Sequence, residues 1–277
     1  MNLKFGLTAA FAVLLMPGMA LAQNSCAEGK TLEPGTLTIA TGNPAYYPWV
    51  IDDAPETGQG FEAAVAMEVA RRMGFDGDQV KWVRTSFDEA IQPGVKNFDF
   101  NLQQFSILPE RKQVIDFSQP YYTAGLGLVV RPDVAERLGD EITAGEIRGL
   151  KFGGASGQTS ARFIMDVIQP GPEVLLYDDV ADMTAALQAN QIEATLYDVP
   201  TALFVTAVQY PDGKLIGQFS AGDEAGDQFG LVLSKGNPLL ECVDQALSSM
   251  TEDGTLAAIE EKWLAENAGI PVLSLDQ

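Results

Sequence analysis

Histidine is absent from all 277 residues. That excludes Ser-His-Asp and Cys-His nucleophilic sites and every His-ligated metal centre. It also removes the side chain that most often serves as a general base near neutral pH. Basic residues are scarce, with 17 Lys and Arg against 38 Asp and Glu. A surface of that sign repels nucleic acid and anionic lipid, so neither is expected as a partner. Cysteine is limited to Cys26 and Cys242, a separation that fits neither a zinc knuckle nor a CxxC redox pair. No metal and no cofactor is expected. Past the N-terminus, no segment is long and apolar enough to span a bilayer, which takes about 20 residues.

The first 22 residues read as a secretory signal: Lys4 supplies the charge, Leu7–Met16 the apolar stretch, and Ala20-Leu21-Ala22 a small-residue cleavage site before Gln23. Removing them leaves 255 residues with 16 basic against 38 acidic side chains, a net charge of −22. That length accommodates one large or two medium domains. For an exported chain, a Cys26–Cys242 disulfide is the expected use of the two cysteines. Lipidation of Cys26 is the alternative, but the preceding Gln23-Asn24-Ser25 is a poor lipobox.

The mature chain alternates short β-rich runs with helical periodicity, which predicts an α/β architecture. Expected strands are Thr36–Thr41, Val80–Arg84, Phe98–Leu102, Leu126–Val130, Phe152–Gly154, Val174–Tyr177, Ala194–Tyr197 and Phe229–Leu233. Expected helices are Phe61–Met73, Phe87–Gln92, Arg162–Ile168, one from Asp178 or Asp179 to Ala189, Pro200–Tyr210, Pro238–Met250 and Thr255–Ala265. Thr143 and Glu146 form a capping box for a further short helix. Periodicity alone fits either one doubly wound domain or two smaller ones.

The stretch Asn97–Tyr122, NFDFNLQQFSILPERKQVIDFSQPYY, is a buried-strand pattern running into a polar loop with Arg111 at its end. A guanidinium presented there suits a planar carboxylate, although a lone arginine near Glu110 and Asp116 also fits a solvated ion pair. In its order and spacing this run resembles the polar amino-acid family of periplasmic solute-binding proteins, the receptors of ABC importers. The closing segment Asp253-Gly254-Thr255-Leu256-Ala257 with Glu261-Lys262-Trp263 is similar to the same family, so the resemblance spans Gly35 to Leu264.

The resemblance implies a two-lobed type II periplasmic-binding-protein fold, each lobe a sheet flanked by helices, joined by two hinge strands near Thr123–Gly125 and Gly226–Phe229. Lobe 1 is expected over 36–123 and 228–277, and lobe 2 over 124–227. It also implies site residues. Arg111 and Ser106 match positions that hold a ligand α-carboxylate, and Gly157 and Thr159 match a turn that adds donors to it. Asp198 matches the acid that pairs with the ligand α-ammonium, a role that competes with capping the helix at Pro200. Tyr46 and Phe87 match ligand-flanking aromatics. Asn43 stands where an acid commonly reads a cationic side chain, Gln103 and Gln104 replace smaller residues, and Ala155 offers no cation for an acidic side chain. A neutral or polar amino acid is the expected ligand.

The expected function is therefore a periplasmic, monomeric receptor that closes on a free amino acid and delivers it to an inner-membrane ABC permease. A rival on the same fold is a cyclohexadienyl dehydratase-like enzyme, for which Glu173 and Asp178 are available acids. A ligand-loaded sensor for a chemoreceptor shares the same binding chemistry.

Overall fold

The computed structural model describes residues 26–139, 141–219, 227–264 and 269–275. The expected signal segment, 1–22, lies outside them. Among the described residues a five-stranded and a three-stranded sheet form the centres of two lobes, with two further strand pairs beside them. The first sheet has the order β2 (Val80–Arg84), β1 (Leu37–Thr41), β3 (Phe100–Asn101), β12 (Val232–Ser234), β4 (Ile115–Phe117). β1 pairs in parallel with β2 and β3, while β12 runs antiparallel to β3 and β4. All five residues of β1 are buried, as a central strand covered on both faces requires.

Helix α1 (Phe61–Arg72) lays Phe61, Val65, Ala66, Val69 and Ala70 into a cluster with Leu37, Ile39, Phe100 and Leu233. The same cluster receives Val243, Leu247 and Met250 from α8 (Leu240–Glu252) and is flanked by α9 (Thr255–Leu264). Arg72 ties these helices together, reaching Glu68 on its own helix, Ser249 (2.6 Å) and Thr255 (2.9 Å). Cys26 and Cys242 form the expected disulfide, fastening the start of the described chain to α8. Short α2 (Phe87–Ile91) is capped by Ser86, whose hydroxyl accepts the Glu89 N–H.

In the second lobe, β6 (Leu126–Val130) is central, antiparallel to β10 (Lys214–Phe219) on one side and β9 (Ala194–Asp198) on the other. Alternation sends Leu126, Leu128 and Val130 to one core, with Phe152, Ile164 and Phe219, and Val129 to another, with Met183, Leu187 and Tyr197. Gly127 lies between; a Cβ there would come 2.8 Å from Ala202 Cβ, so glycine lets α7 (Val199–Phe204) seat against the sheet. Beside them run the pair β7 (Gly153–Ala155) and β8 (Leu175–Tyr177), then α6 (Val180–Gln188), capped by Asp179. α3 (Pro132–Leu138), α4 (Ala144–Arg148) and α5 (Thr159–Phe163) complete the lobe, and the Thr143–Glu146 capping box opens α4.

The lobes are joined by an antiparallel ribbon, β5 (Tyr122–Ala124) with β11 (Asp227–Phe229), in the register Asp227↔Ala124 and Phe229↔Tyr122. The expected strand Phe229–Leu233 is instead two, β11 and β12. The break falls at Gly230 and Leu231; a Cβ on Gly230 would meet Ile107 and the Ser118 carbonyl at 2.9 and 3.1 Å. The expected helices Arg162–Ile168 and Pro200–Tyr210 each start as an α-helix and loosen into a π turn, at Ile164–Ile168 and Val205–Gln209.

The end of the chain departs from the expected division. The Gln218 N–H donates to the Pro271 carbonyl and the Leu273 N–H to the Gln218 carbonyl, both at 2.8 Å. Leu273 and Leu275 pack on the core of Leu126, Leu128 and Phe219. Residues 271–275 thus lie on the second lobe, because Gly217 leaves a gap that Leu273 fills. Among the described residues no helix is long and apolar enough to cross a membrane.

Candidate functional site

The two lobes enclose a cavity of about 360 Å³. From the first lobe, the segment after β1 contributes Asn43 and Tyr46. Arg84 holds that segment: it donates to the Gly42 carbonyl (2.8 Å) and ion-pairs with Asp53, whose carboxylate also accepts the Ala45 N–H (2.9 Å). The start of α2 contributes Ser86, Phe87 and Asp88, and the end of β3 contributes Gln103 and Gln104.

Gln104 has φ +52°, an uncommon conformation for a residue with a side chain. It is held there by Glu62, which accepts the Gln104 N–H (2.8 Å) on one carboxylate oxygen and the Gln104 side-chain amide on the other. Glu62 also accepts the Tyr121 hydroxyl. Burial pushes the Glu62 carboxyl up to about 7, against those three hydrogen bonds.

From the second lobe, the turn after β7 contributes Ser156, Gln158 and Thr159, and the end of β9 contributes Asp198. Asp198 caps α7 with both oxygens: Oδ1 accepts the Thr201 N–H and Oδ2 the Thr201 hydroxyl, each at 2.8 Å. Burial raises its carboxyl to about 6. The hinge ribbon contributes Asp227 and Phe229. Burial also raises the Asp227 carboxyl, while hydrogen bonds from Thr159 and Ser106 and the charge of Arg111 oppose that rise.

Arg111 lies behind the cavity wall. Its guanidinium donates to the Ser106 carbonyl (3.0 Å) and, across the lobes, to the Gly157 carbonyl (2.8 Å). It sits 5.2 Å from the centroid of the Phe87 ring. Burial lowers its pKa to about 10. The cleft is closed by further cross-lobe contacts: Trp49 Nε1–H to the Thr201 hydroxyl (2.9 Å), Ser106 Oγ to Thr159 Oγ1 (3.3 Å), the Arg162–Glu110 ion pair, and the Tyr47 and Phe204 rings at 4.7 Å.

A family model for bacterial extracellular solute-binding proteins, family 3, matches residues 37–266. The chain belongs to this family. As a family 3 solute-binding protein it is 31% identical over 262 residues to the L-cystine-binding protein of Escherichia coli, covering 91% of this chain and 92% of that relative. An ancestral arginine-binding protein, solved with arginine and with glutamine, matches with a TM-score of 0.69 at 28% identity. The arginine complex covers 83% of this chain and 98% of that structure. An ancestral amino acid-binding protein described as a precursor of cyclohexadienyl dehydratase matches with a TM-score of 0.63 at 26% identity, over 83% of this chain and 95% of that structure. The type II periplasmic-binding-protein fold of these neighbours is the fold of this solute-binding protein.

Of the site residues expected from sequence, Asn43, Tyr46, Phe87, Gln104, Thr159 and Asp198 line the cavity of this solute-binding protein. Ser106, Arg111 and Gly157 form a bonded chain at its back, joined to the lining through Thr159. Glu62, Trp49 and Asp227 line the cavity and were not among the expected residues. Glu62 is the second residue of an amphipathic helix, where an acid reads as a complement to the helix dipole. Asp227 falls within an expected hinge strand that carried no ligand role. Glu173 is exposed and off the cavity, whereas Asp178 stands exposed on its lining.

Proposed function

We propose that this solute-binding protein is an exported, monomeric periplasmic receptor that captures a free amino acid between its lobes and delivers it to an inner-membrane ABC permease. The bodies that close are 36–123 with 228–264, and 124–227 with the 271–275 tail. The ligand α-carboxylate is held by Arg111, Ser106, Thr159 and the turn at Gly157; the α-ammonium is held by Asp198. The observation that supports this reading is the cross-lobe placement of these groups at one cleft, Thr159 and Asp198 lining its cavity from one lobe and Ser106 and Arg111 standing behind it on the other, bonded to Thr159 and Gly157. A buried zwitterion needs each charge paired and hydrogen-bonded, so it favours closure over an empty cleft.

Asn43, Gln103 and Gln104 give the cavity amide groups, and among the described residues no lysine or arginine lines it. An acidic ligand side chain would therefore lack a counterion, the amides suit a neutral or polar one, and the lining carboxylates Asp88, Asp178 and Asp179 make a cationic one the comparison to include. The glutamine-bound ancestral structure and the L-cystine-binding relative make L-glutamine and L-cystine the first compounds to try.

The test is a thermal-shift panel of amino acids on protein refolded free of carried-over ligand. A true ligand at 100 times its Kd adds about 2.7 kcal/mol, which is roughly 5–10 °C for a chain of this size. Decarboxylated and N-acylated analogues of the best ligand should give no shift; equal shifts from them would sink the zwitterion assignment. We infer no turnover. The dehydratase reading has Asp178 on the cavity in its favour, and release of product from prephenate or arogenate would establish it instead.

A further inference from the structure

Asp227 opens β11, the return strand of the hinge, with its backbone paired to Ala124. Its half-buried carboxylate lines the cavity. The donors it engages are the notable feature. The Thr159 hydroxyl, from the second lobe, donates to Asp227 Oδ2. The Ser106 hydroxyl, from the first lobe, lies 3.3 Å from Thr159 Oγ1 in the same cluster, and the charge of Arg111, with that of Arg162, acts on the Asp227 carboxylate. Thr159, Ser106 and Arg111 are the three side chains to which the proposed function assigns the ligand α-carboxylate, and the inference rests on that assignment.

Each hydroxyl has a single proton to give. Thr159 cannot donate to Asp227 and to a ligand carboxylate at once, and two carboxylates on one set of donors repel each other. Arg111 spends one N–H of each terminal nitrogen on a backbone carbonyl and keeps others for an anion, but these do not return the hydroxyl proton that Thr159 has given to Asp227. A carboxylate of the protein's own therefore stands on the anion donors of the closed cleft. We propose that Asp227 is an internal stand-in for the ligand carboxylate, which bridges the lobes of the ligand-free protein and must be displaced when an amino acid binds.

The geometry permits that exchange. Because the side chain is half-buried, a rotation about its own χ angles releases Thr159 and Ser106 while the β5–β11 pairing stays intact. The stand-in lowers the free energy of the empty closed form, so it weakens apparent affinity and keeps the unloaded cleft partly closed.

The experiment uses the mature protein with Asp227→Asn and Asp227→Ala, each checked by thermal melt, and Glu173→Gln, exposed and off the cavity, as a control for simple loss of one negative charge. Two quantities are read: calorimetric Kd for L-glutamine and L-cystine, and the radius of gyration of the ligand-free protein by small-angle X-ray scattering. Both Asp227 variants are expected to bind about 5-fold tighter or better and to be more open when empty, while Glu173→Gln changes neither. Weaker binding would make Asp227 a ligand contact and overturn the proposal. So would unchanged affinity, an unchanged radius of gyration, or an equal effect from Glu173→Gln. If wild type binds neither amino acid, the failure is that of the proposed function for those ligands; the scattering comparison, which needs no ligand, then decides the stand-in role alone.

Discussion

Glu62 and Asp198 set opposite pH trends for the empty and the loaded protein. Both carboxyls titrate above their ordinary range in the folded state, Glu62 near 7 and Asp198 near 6, because burial disfavours their charged forms. The folded protein therefore takes up these protons at higher pH than the unfolded chain does. Stability is greatest below the unfolded values and falls as pH rises through the folded ones. Carboxylates held low, Glu68 by its hydrogen bond from Arg71 and Asp253 by hydrogen bonds from Thr255, act in the other direction, but only below about pH 4.5. Between pH 5 and pH 8 the ligand-free protein should thus lose on the order of 2–3 kcal/mol, a fall of roughly 5 °C or more in Tm. Ligand affinity should move the other way, weakening as pH drops below about 6, where Asp198 becomes neutral and no longer pairs with an ammonium. Melting curves and calorimetry over the same pH series check both arms; parallel trends would remove Asp198 from the ammonium site.

At the scale of elements, the capping of α7 by Asp198 stands beside the ammonium role proposed for the same carboxylate. Asp198 caps the helix through Thr201, and Thr201 in turn accepts the Trp49 N–H from the other lobe. The roles separate by substitution. Asp198→Ser keeps a good cap and should leave stability within about 0.5 kcal/mol of wild type, whereas Asp198→Ala should cost about 1 kcal/mol. Both should lose at least about 30-fold in affinity, as removal of a charged hydrogen-bond partner costs roughly 2 kcal/mol or more. A Ser variant that binds normally would leave Asp198 as a cap alone.

The same helix shows what sequence makes legible. Its proline and its acidic cap announce the start, but nothing local announces the loosening at Val205–Gln209. Strand β6 was legible because it is apolar throughout, being buried on both faces. Strand β10 was not, since KLIGQF is interrupted by a register shift between Leu215 and Gly217. The Arg111 loop stands out in the sequence as a candidate because its residues lie close together in the chain. Glu62 and Asp227 do not, because their meanings depend on partners 42 to 68 positions away, Gln104 for one and Thr159 for the other.

At the scale of the whole molecule, the disulfide and the cleft are independent. Cys26–Cys242 closes a separation of 216 residues, and neither cysteine lines the cavity. Reduction should lower stability by about 2–5 kcal/mol while leaving Kd unchanged within about 2-fold at temperatures where the protein remains folded. Thermal melts and calorimetry with and without reductant test this, and a large loss of affinity on reduction would show that the disulfide shapes the site.

The placement of the final residues has a practical corollary. Cys26 is fastened to the first lobe through α8, whereas Leu273 and Leu275 are embedded in the second. Fluorescent proteins fused before Cys26 and after Leu275 would ride on different lobes. Their separation would change whenever the cleft opens or shuts, so the receptor in its natural chain order is already wired as an optical reporter of its own solute.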